Sequence, residues 1–320
     1  LSTTNLNVQH GNTRKAPHCV ARFGVFRTEY LYRDNRTAYG VLPLTIQTAR
    51  EGSATMELGL GFDLEADLYH RMRPRYPEGM LDDLVALTGI EADARLLEIG
   101  AGTGIATEAM ANRGYEIVAL EPGERLAAVA RQNLARFGSI SIETARFEDW
   151  PLPDEPFDLV YSATAFHWIA PDVRFAKSAQ ALKPGGCLAI LEYQHVAGGD
   201  DAFFEEAQPC YERFVPGTVP WTPMQQWNGP PDLDAMEQSG LFELVGVRQF
   251  RDIVTYTTTQ YLDLISTYSG TLALDRENRA GLLDCLATRM DRDYAGSVRK
   301  AYRYELIVAR KINEPPGTNR

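Results

Sequence analysis

The segment Leu96-Leu97-Glu98-Ile99-Gly100-Ala101-Gly102-Thr103-Gly104 places three alternating glycines directly after a short apolar run. Glycine reaches positive φ without steric cost, and its bare backbone lets a ligand come close. The spacing tests which ligand. A nicotinamide fingerprint needs G-x-G-x-x-G. Counted from Gly100 the third glycine falls on Ile105, and counted from Gly102 it falls on Thr107, so that pattern fails. No G-x-x-x-x-G-K-[ST] phosphate loop occurs either. The second candidate is His167, in Ser162-Ala163-Thr164-Ala165-Phe166-His167-Trp168. An imidazole with its ordinary pKa near 6.5 can act as a general base or a hydrogen-bond donor. It can equally be a packing residue that orders its loop. No cluster of His, Cys, Asp and Glu has metal-ligand spacing, so metal-independent chemistry is expected.

These residues need elements to hold them. Pro77 to Thr88 read as a helix, with Met80, Leu81, Leu84, Val85 and Leu87 on one face and Pro77 in its first turn. Strands are expected at 95–99, 116–120, 140–144, 157–161 and 187–193. Helices are expected at 105–112, 125–137 and 171–182, the last closed by Lys183-Pro184-Gly185-Gly186. Alternating strands and helices imply a parallel sheet covered on both faces, with ligands beyond the carboxyl ends of its strands. Farther on, helical stretches read at 201–214, 233–239, 258–268 and 276–291. A sixth strand is expected within 242–254 and a seventh within 297–310, where Tyr302, Tyr304, Leu306 and Val308 alternate.

An acid followed by G-x-G-x-G resembles the first motif of the seven-stranded, class I S-adenosylmethionine (SAM)-dependent methyltransferases. Here it is Glu98, Gly100, Gly102 and Gly104, with Ala101 between the first two glycines. Glu121, followed by Pro122, ends the second strand seventeen residues past Gly104, where the resemblance implies a carboxylate that accepts hydrogen bonds from ribose hydroxyls. Phe147-Glu148-Asp149-Trp150 matches the place where the family cradles adenine. Phe147 would pack on the ring and Glu148 would read its polar edge. The family's usual Asp-Ala is Arg146-Phe147 here. Ser162 ends the fourth strand on the cofactor side. Pro156-Phe157-Asp158-Leu159-Val160 and Leu182-Lys183-Pro184-Gly185-Gly186 match the fourth strand and the turn before the fifth.

Upstream, Tyr69-His70-Arg71-Met72-Arg73-Pro74-Arg75-Tyr76-Pro77 is similar to the N-terminal lid of the branch containing trans-aconitate methyltransferase and its small-molecule relatives. The resemblance implies that Tyr69 and Arg73 hold the methionine carboxylate of SAM. Arg75, Tyr76, Trp168 and Trp221 would line the acceptor pocket. The alternative for the lid is a basic turn held by surface contacts. The fold class implied is α/β: a Rossmann-like, doubly wound, mostly parallel seven-stranded sheet with a helical cap insertion. The cofactor implied is SAM, and the implied partner is a small-molecule acceptor methylated by in-line transfer in a lidded pocket.

Composition limits the alternatives. At 320 residues the chain suits about two structural units. A formal net charge of −11 disfavours nucleic acid as a partner. Asn228-Gly229-Pro230-Pro231 loosely matches the amino-methylation motif of nucleic-acid methyltransferases, but it lies about sixty residues past the place that motif occupies. No apolar stretch approaches the ~18 residues that span a bilayer, so no membrane partner is expected. Cys19, Cys187, Cys210 and Cys285 form no C-x-x-C pair and read as reduced thiols of a cytoplasmic chain. A SAM-binding sensor or partner subunit without catalysis is the main alternative.

The expected organisation has four parts. Residues 1–60 carry seven basic and four acidic residues and are expected to form a poorly ordered extension. An upstream start or a cloning boundary explains them more simply than a transit peptide. Residues 61–195 form the SAM-binding core. Residues 196–295 form the cap and substrate region with strand six, and residues 296–320 form the final strand and tail. Pro216 to Pro231, rich in Pro, Gly and aromatics and containing Trp221 and Trp227, reads as a cap loop or a simple surface loop.

Overall fold

A computed structural model describes residues 66–215 and 231–313. The expectations for residues 1–60, for Trp221 and Trp227 and for positions 228–230 of the 228–231 motif lie outside the described residues. Two short elements open the fold: α1 (Ala66–Met72) and α2 (Glu78–Thr88). The helix α2 ends where Gly89 takes φ +68°, letting its N–H bond back to the Val85 carbonyl. The alternating core then runs β1 (Arg95–Ile99), α3 (Ile105–Ala111), β2 (Glu116–Leu120), α4 (Glu124–Leu134), β3 (Ile140–Glu143) and β4 (Phe157–Ala163). A 3-10 turn at Phe166–Trp168, α5 (Pro171–Ala181) and β5 (Leu182–Val196) complete it.

The sheet has seven strands in the order β3-β2-β1-β4-β5-β7-β6, with β6 (Phe242–Thr257) and β7 (Ser297–Lys311) at one side. Pairings among β1 to β5 are parallel, and both antiparallel pairings are made by β7. Successive residues of one strand point to opposite faces, so Leu96 joins one apolar layer and Leu97 the other. The strand order reverses between β1 and β4. The loops after these two strands therefore flank one crevice, the place where such sheets bind ligands.

Two features depart from expectation. The Lys183–Gly186 turn is absorbed into β5. The pairing jumps from Phe157↔Leu182 to Leu159↔Cys187, so these residues bulge within the strand. In addition, β5, β6 and β7 run 15, 16 and 15 residues, well past the other strands. Their far ends carry α6 (Asp201–Glu206), α7 (Gln208–Phe214), α9 (Thr258–Ser266), α10 (Ser269–Leu272) and α11 (Arg276–Asp293). Helix α8 (Pro231–Ser239) lies instead against the opposite layer, through Leu233 and Met236. Capping side chains start α9, through Thr257 and Gln260, and α11, through Asp275.

The expectation of four reduced cysteines is corrected. Cys210 on α7 and Cys285 on α11 form a disulfide with Cα atoms 5.8 Å apart. A separation of 75 residues hides this pair, and packing of the two helices creates it. Cys187 is a buried free thiol, raised above its usual pKa by burial. Among the described residues, no helix is long and apolar enough to cross a membrane.

Candidate active site

The glycine loop is tied to the sheet at its root. The N–H groups of Gly100 and Ala101 both donate to the Leu120 carbonyl at 2.9 Å. Gly100, Gly102 and Gly104 have φ of +74°, +58° and +86°. A Cβ on Gly100 would stand 2.4 Å from the Ala165 Cβ, so the loops after β1 and β4 touch at the crevice. A Cβ on Gly104 would meet Leu134 at 2.8 Å, so this glycine serves the packing of α4.

Glu121 closes the loop from the side of β2. Its Oε2 accepts the Gly102 N–H at 2.7 Å, and its Oε1 accepts the Gly123 N–H at 2.8 Å. Pro122 between them is exposed. Glu98 sits elsewhere, buried in the sheet, where its Oε2 accepts the Tyr161 hydroxyl at 2.7 Å. Burial pushes its carboxyl up to about 7, against hydrogen bonds from Thr107 and Tyr161. Ser162 is also turned inward and donates to the Ile99 carbonyl at 2.8 Å.

The segment after α1 lies over this loop. The His70 Nδ1 and the Thr103 hydroxyl share a hydrogen bond at 3.0 Å, and the Asn133 amide reaches the same nitrogen at 3.0 Å. Burial, then Arg75, lower the His70 pKa. The Arg73 guanidinium lies 4.5 Å from the Tyr69 ring centroid and 4.9 Å from that of Tyr268. It donates to the Tyr193 hydroxyl at 3.1 Å and the Thr267 carbonyl at 2.9 Å. Burial works to lower its pKa, and the oxygens of Tyr69, Tyr193 and Tyr268 outweigh it, so Arg73 stays charged. Burial pushes the Tyr69 hydroxyl up to about 12. Tyr76 bonds through its hydroxyl to Thr164 at 2.7 Å, and its ring meets Tyr193 and Tyr304 edge-on. Thr164 holds φ +57°, a conformation that tertiary structure must enforce on a β-branched residue.

His167 is about half exposed, with Nδ1 3.5 Å from Oε1 of Glu192 on β5 and its ring 5.0 Å from that of Trp168. Trp168 is exposed.

Residues 97–190 match the methyltransferase-domain family. Over those residues the chain is similar to methyltransferase domains. An uncharacterized methyltransferase of Mycobacterium bovis is 34% identical over 135 residues, covering 42% of this chain and 53% of that protein. The malonyl-(acyl-carrier protein) O-methyltransferase of Geobacter sulfurreducens is 34% identical over 148 residues, covering 45% and 52%. The chain thus spans about half the length of the curated relatives it matches. A solved structure named as a Type II methyltransferase from Anaeromyxobacter dehalogenans aligns with TM-score 0.52 and 22% identity, over 74% of this chain and 97% of that one.

Within the matched residues, Phe147 is buried and Lys177 lies 5.4 Å from its ring centroid. Glu148 accepts the Ala170 N–H at 3.1 Å and pairs with Arg146 at 3.2 Å. Backbone hydrogen bonds and Arg146 outweigh burial and lower its pKa. Arg75 turns outward, half exposed, toward the His70 carbonyl at 3.3 Å and Glu108 at 3.9 Å. The crevice thus gathers Gly100, Gly102, Glu121, Tyr69, Arg73 and Tyr76. Glu98 and Ser162 support it from the sheet, and Arg75 faces away.

Sequence reasoning missed Glu192, Tyr193, Tyr268 and Lys300. Tyr193, Tyr302 and Tyr304 stand on one face of the β5–β7 ribbon, with ring centroids 5.8–6.3 Å apart. A signal existed, because an inward lysine interrupts the row Val298, Lys300, Tyr302, Tyr304.

Proposed function

We propose that this chain is a SAM-dependent methyltransferase acting on a small-molecule acceptor in a pocket lidded by the Tyr69–Tyr76 segment. The observation that carries the reading is the Glu121 carboxylate clasping the Gly102 N–H beside a bare glycine loop. An ionised carboxylate offers about four acceptor sites, which suits a pair of ribose hydroxyls. The loop fits a close-lying ligand, because a Cβ on Gly102 would meet nothing nearer than the Tyr69 ring at 3.9 Å.

When bound, SAM supplies an electrophilic methyl on a good leaving group. The protein's share is then positioning and exclusion of water. Glu121 would hold the ribose, and Phe147 and Glu148 the adenine. Tyr69 and charged Arg73 would hold the methionine carboxylate. Tyr76 and Trp168 would bound the acceptor. The helices α6, α7 and α9–α11 would form the helical cap. For a hydroxyl or amine acceptor, His167 would take the proton, with Glu192 orienting the imidazole and stabilising its charged form.

The test is calorimetric titration with S-adenosylhomocysteine of the wild type and Glu121→Ala. Micromolar binding that the variant loses supports the reading. No binding by a folded wild type overturns it.

A further inference from the structure

Lys300 stands at an inward position of β7, with 5% of its surface exposed. Its ammonium is ringed by aromatic faces, 5.4 Å from the Phe204 centroid and 5.7 Å from those of Tyr268 and Tyr302. Among the described residues, no carboxylate, carbonyl or hydroxyl is a hydrogen-bond or ion-pair partner of this nitrogen. A buried ammonium is costly without a counter-charge or acceptor, and cation–π contacts compensate only part of that cost. Arg73 worsens it, because from the lid it faces the same Tyr268 ring. His195 on β5 lies in the same interior, against Phe204. Burial first, and then Arg73, lower the Lys300 pKa to about 7. Burial and then Lys300 hold His195 at about 2, so this imidazole is neutral.

From the buried Lys300 ammonium and its aromatic walls we propose that Lys300 is the anchor for an anionic group of the acceptor, a small organic carboxylate with an apolar body. The inference rests on the methyltransferase reading for the word acceptor, since Arg73 there answers the cofactor's carboxylate and Lys300 calls for a second anion. The tyrosine row leads from Tyr193, bonded to Arg73, through Tyr302 to Lys300, so the subsite adjoins the cofactor end of the crevice. A single ammonium in apolar surroundings suits a monoanion. The rings of Phe204, Tyr268 and Tyr302 suit a flat or aliphatic body.

The experiment titrates benzoate, hexanoate and neutral benzamide into the full chain saturated with S-adenosylhomocysteine, at pH 8, in two buffers of different protonation enthalpy. Both carboxylates should bind saturably, and benzamide about tenfold more weakly or worse. Benzoate should take up close to one proton, because the anion restores the charge on Lys300, and benzamide should take up none. This readout needs no variant. Lys300→Met should weaken benzoate at least about tenfold with S-adenosylhomocysteine affinity kept, and Lys300→Arg should recover most of the loss. The subsite is overturned if neither carboxylate binds, if benzamide binds as well as benzoate, or if Lys300→Met leaves benzoate unchanged. Lys300-dependent carboxylate binding without S-adenosylhomocysteine binding would keep the subsite and sink the cofactor reading instead.

Discussion

Glu121 holds the Gly102 N–H at 2.7 Å with one carboxylate oxygen and the Gly123 N–H at 2.8 Å with the other. One side chain thus fixes the glycine loop and the start of α4 together. Hydrogen bonds to a charged group contribute roughly 1.5–3 kcal/mol each. Losing two to a ligand predicts at least about a hundredfold weaker S-adenosylhomocysteine binding for Glu121→Ala, read by calorimetry. Glu121→Gln keeps the shape and one acceptor oxygen and should fall between the two.

Gly100 and Gly89 have nearly the same φ, +74° and +68°, but different surroundings. Nothing lies within 4 Å of a Cβ at Gly89, whereas Ala165 lies at 2.4 Å from one at Gly100. Gly89→Ala should therefore cost about 1–2 kcal/mol, the left-handed penalty alone. Gly100→Ala adds overpacking of about 1–3 kcal/mol and forces the loops after β1 and β4 apart. Urea unfolding checks the first figure, and loss of S-adenosylhomocysteine binding checks the second displacement.

The His167–Glu192 pair separates a base from a packing residue. With an acceptor in hand, His167→Asn should lower kcat about a hundredfold or more, the ordinary share of general-base catalysis, with cofactor affinity unchanged. Glu192→Gln should lower it less. A histidine that only packs would show little change in kcat and a drop in thermal stability.

Stability should respond to pH in two separate windows. Glu98 rises from 4.5 to about 7 on folding, so the folded chain binds more protons and loses stability as pH climbs through that range. Lys300 falls from 10.5 to about 7, so the unfolded chain binds more protons and stability grows as pH climbs above about 7. Each slope is at most about 1.4 kcal/mol per pH unit. Denaturant unfolding from pH 5 to 9 should show Glu98→Gln flattening the lower limb and Lys300→Met the upper.

The Cys210–Cys285 bond closes a long loop between α7 and α11. Restricting the unfolded chain in this way contributes roughly 2–4 kcal/mol. Dithiothreitol should lower the Tm of the wild type and leave that of a Cys210→Ala, Cys285→Ala chain unchanged.

The core elements were legible because their signals are local. The helix α2, the strand β1 and the glycines after it come from periodicity and from residues that take positive φ without steric cost. The length of β5 was not legible. Pro184, Gly185 and Gly186 carry a turn signal, yet the sheet absorbs them as a bulge because Phe157 and Leu159 pair on either side. Arg75 reads like Arg73 in sequence. Two residues of separation send one guanidinium among buried tyrosines and the other out to Glu108.

By itself the sequence determined the alternation of strands and helices, the glycine loop with its carboxylate at Glu121, and the aromatic and basic residues of the segment Tyr69–Tyr76. Each is carried by a run of a few residues, where backbone freedom and side-chain period decide the outcome. Only the tertiary structure decided that Glu192 meets His167, that Cys210 meets Cys285, and that Lys300 is enclosed by Phe204, Tyr268 and Tyr302. Apart from Lys300 and Tyr302, those contacts join residues tens of positions apart. They depend on antiparallel β7 and on how far it, β5 and β6 extend, which no local pattern records.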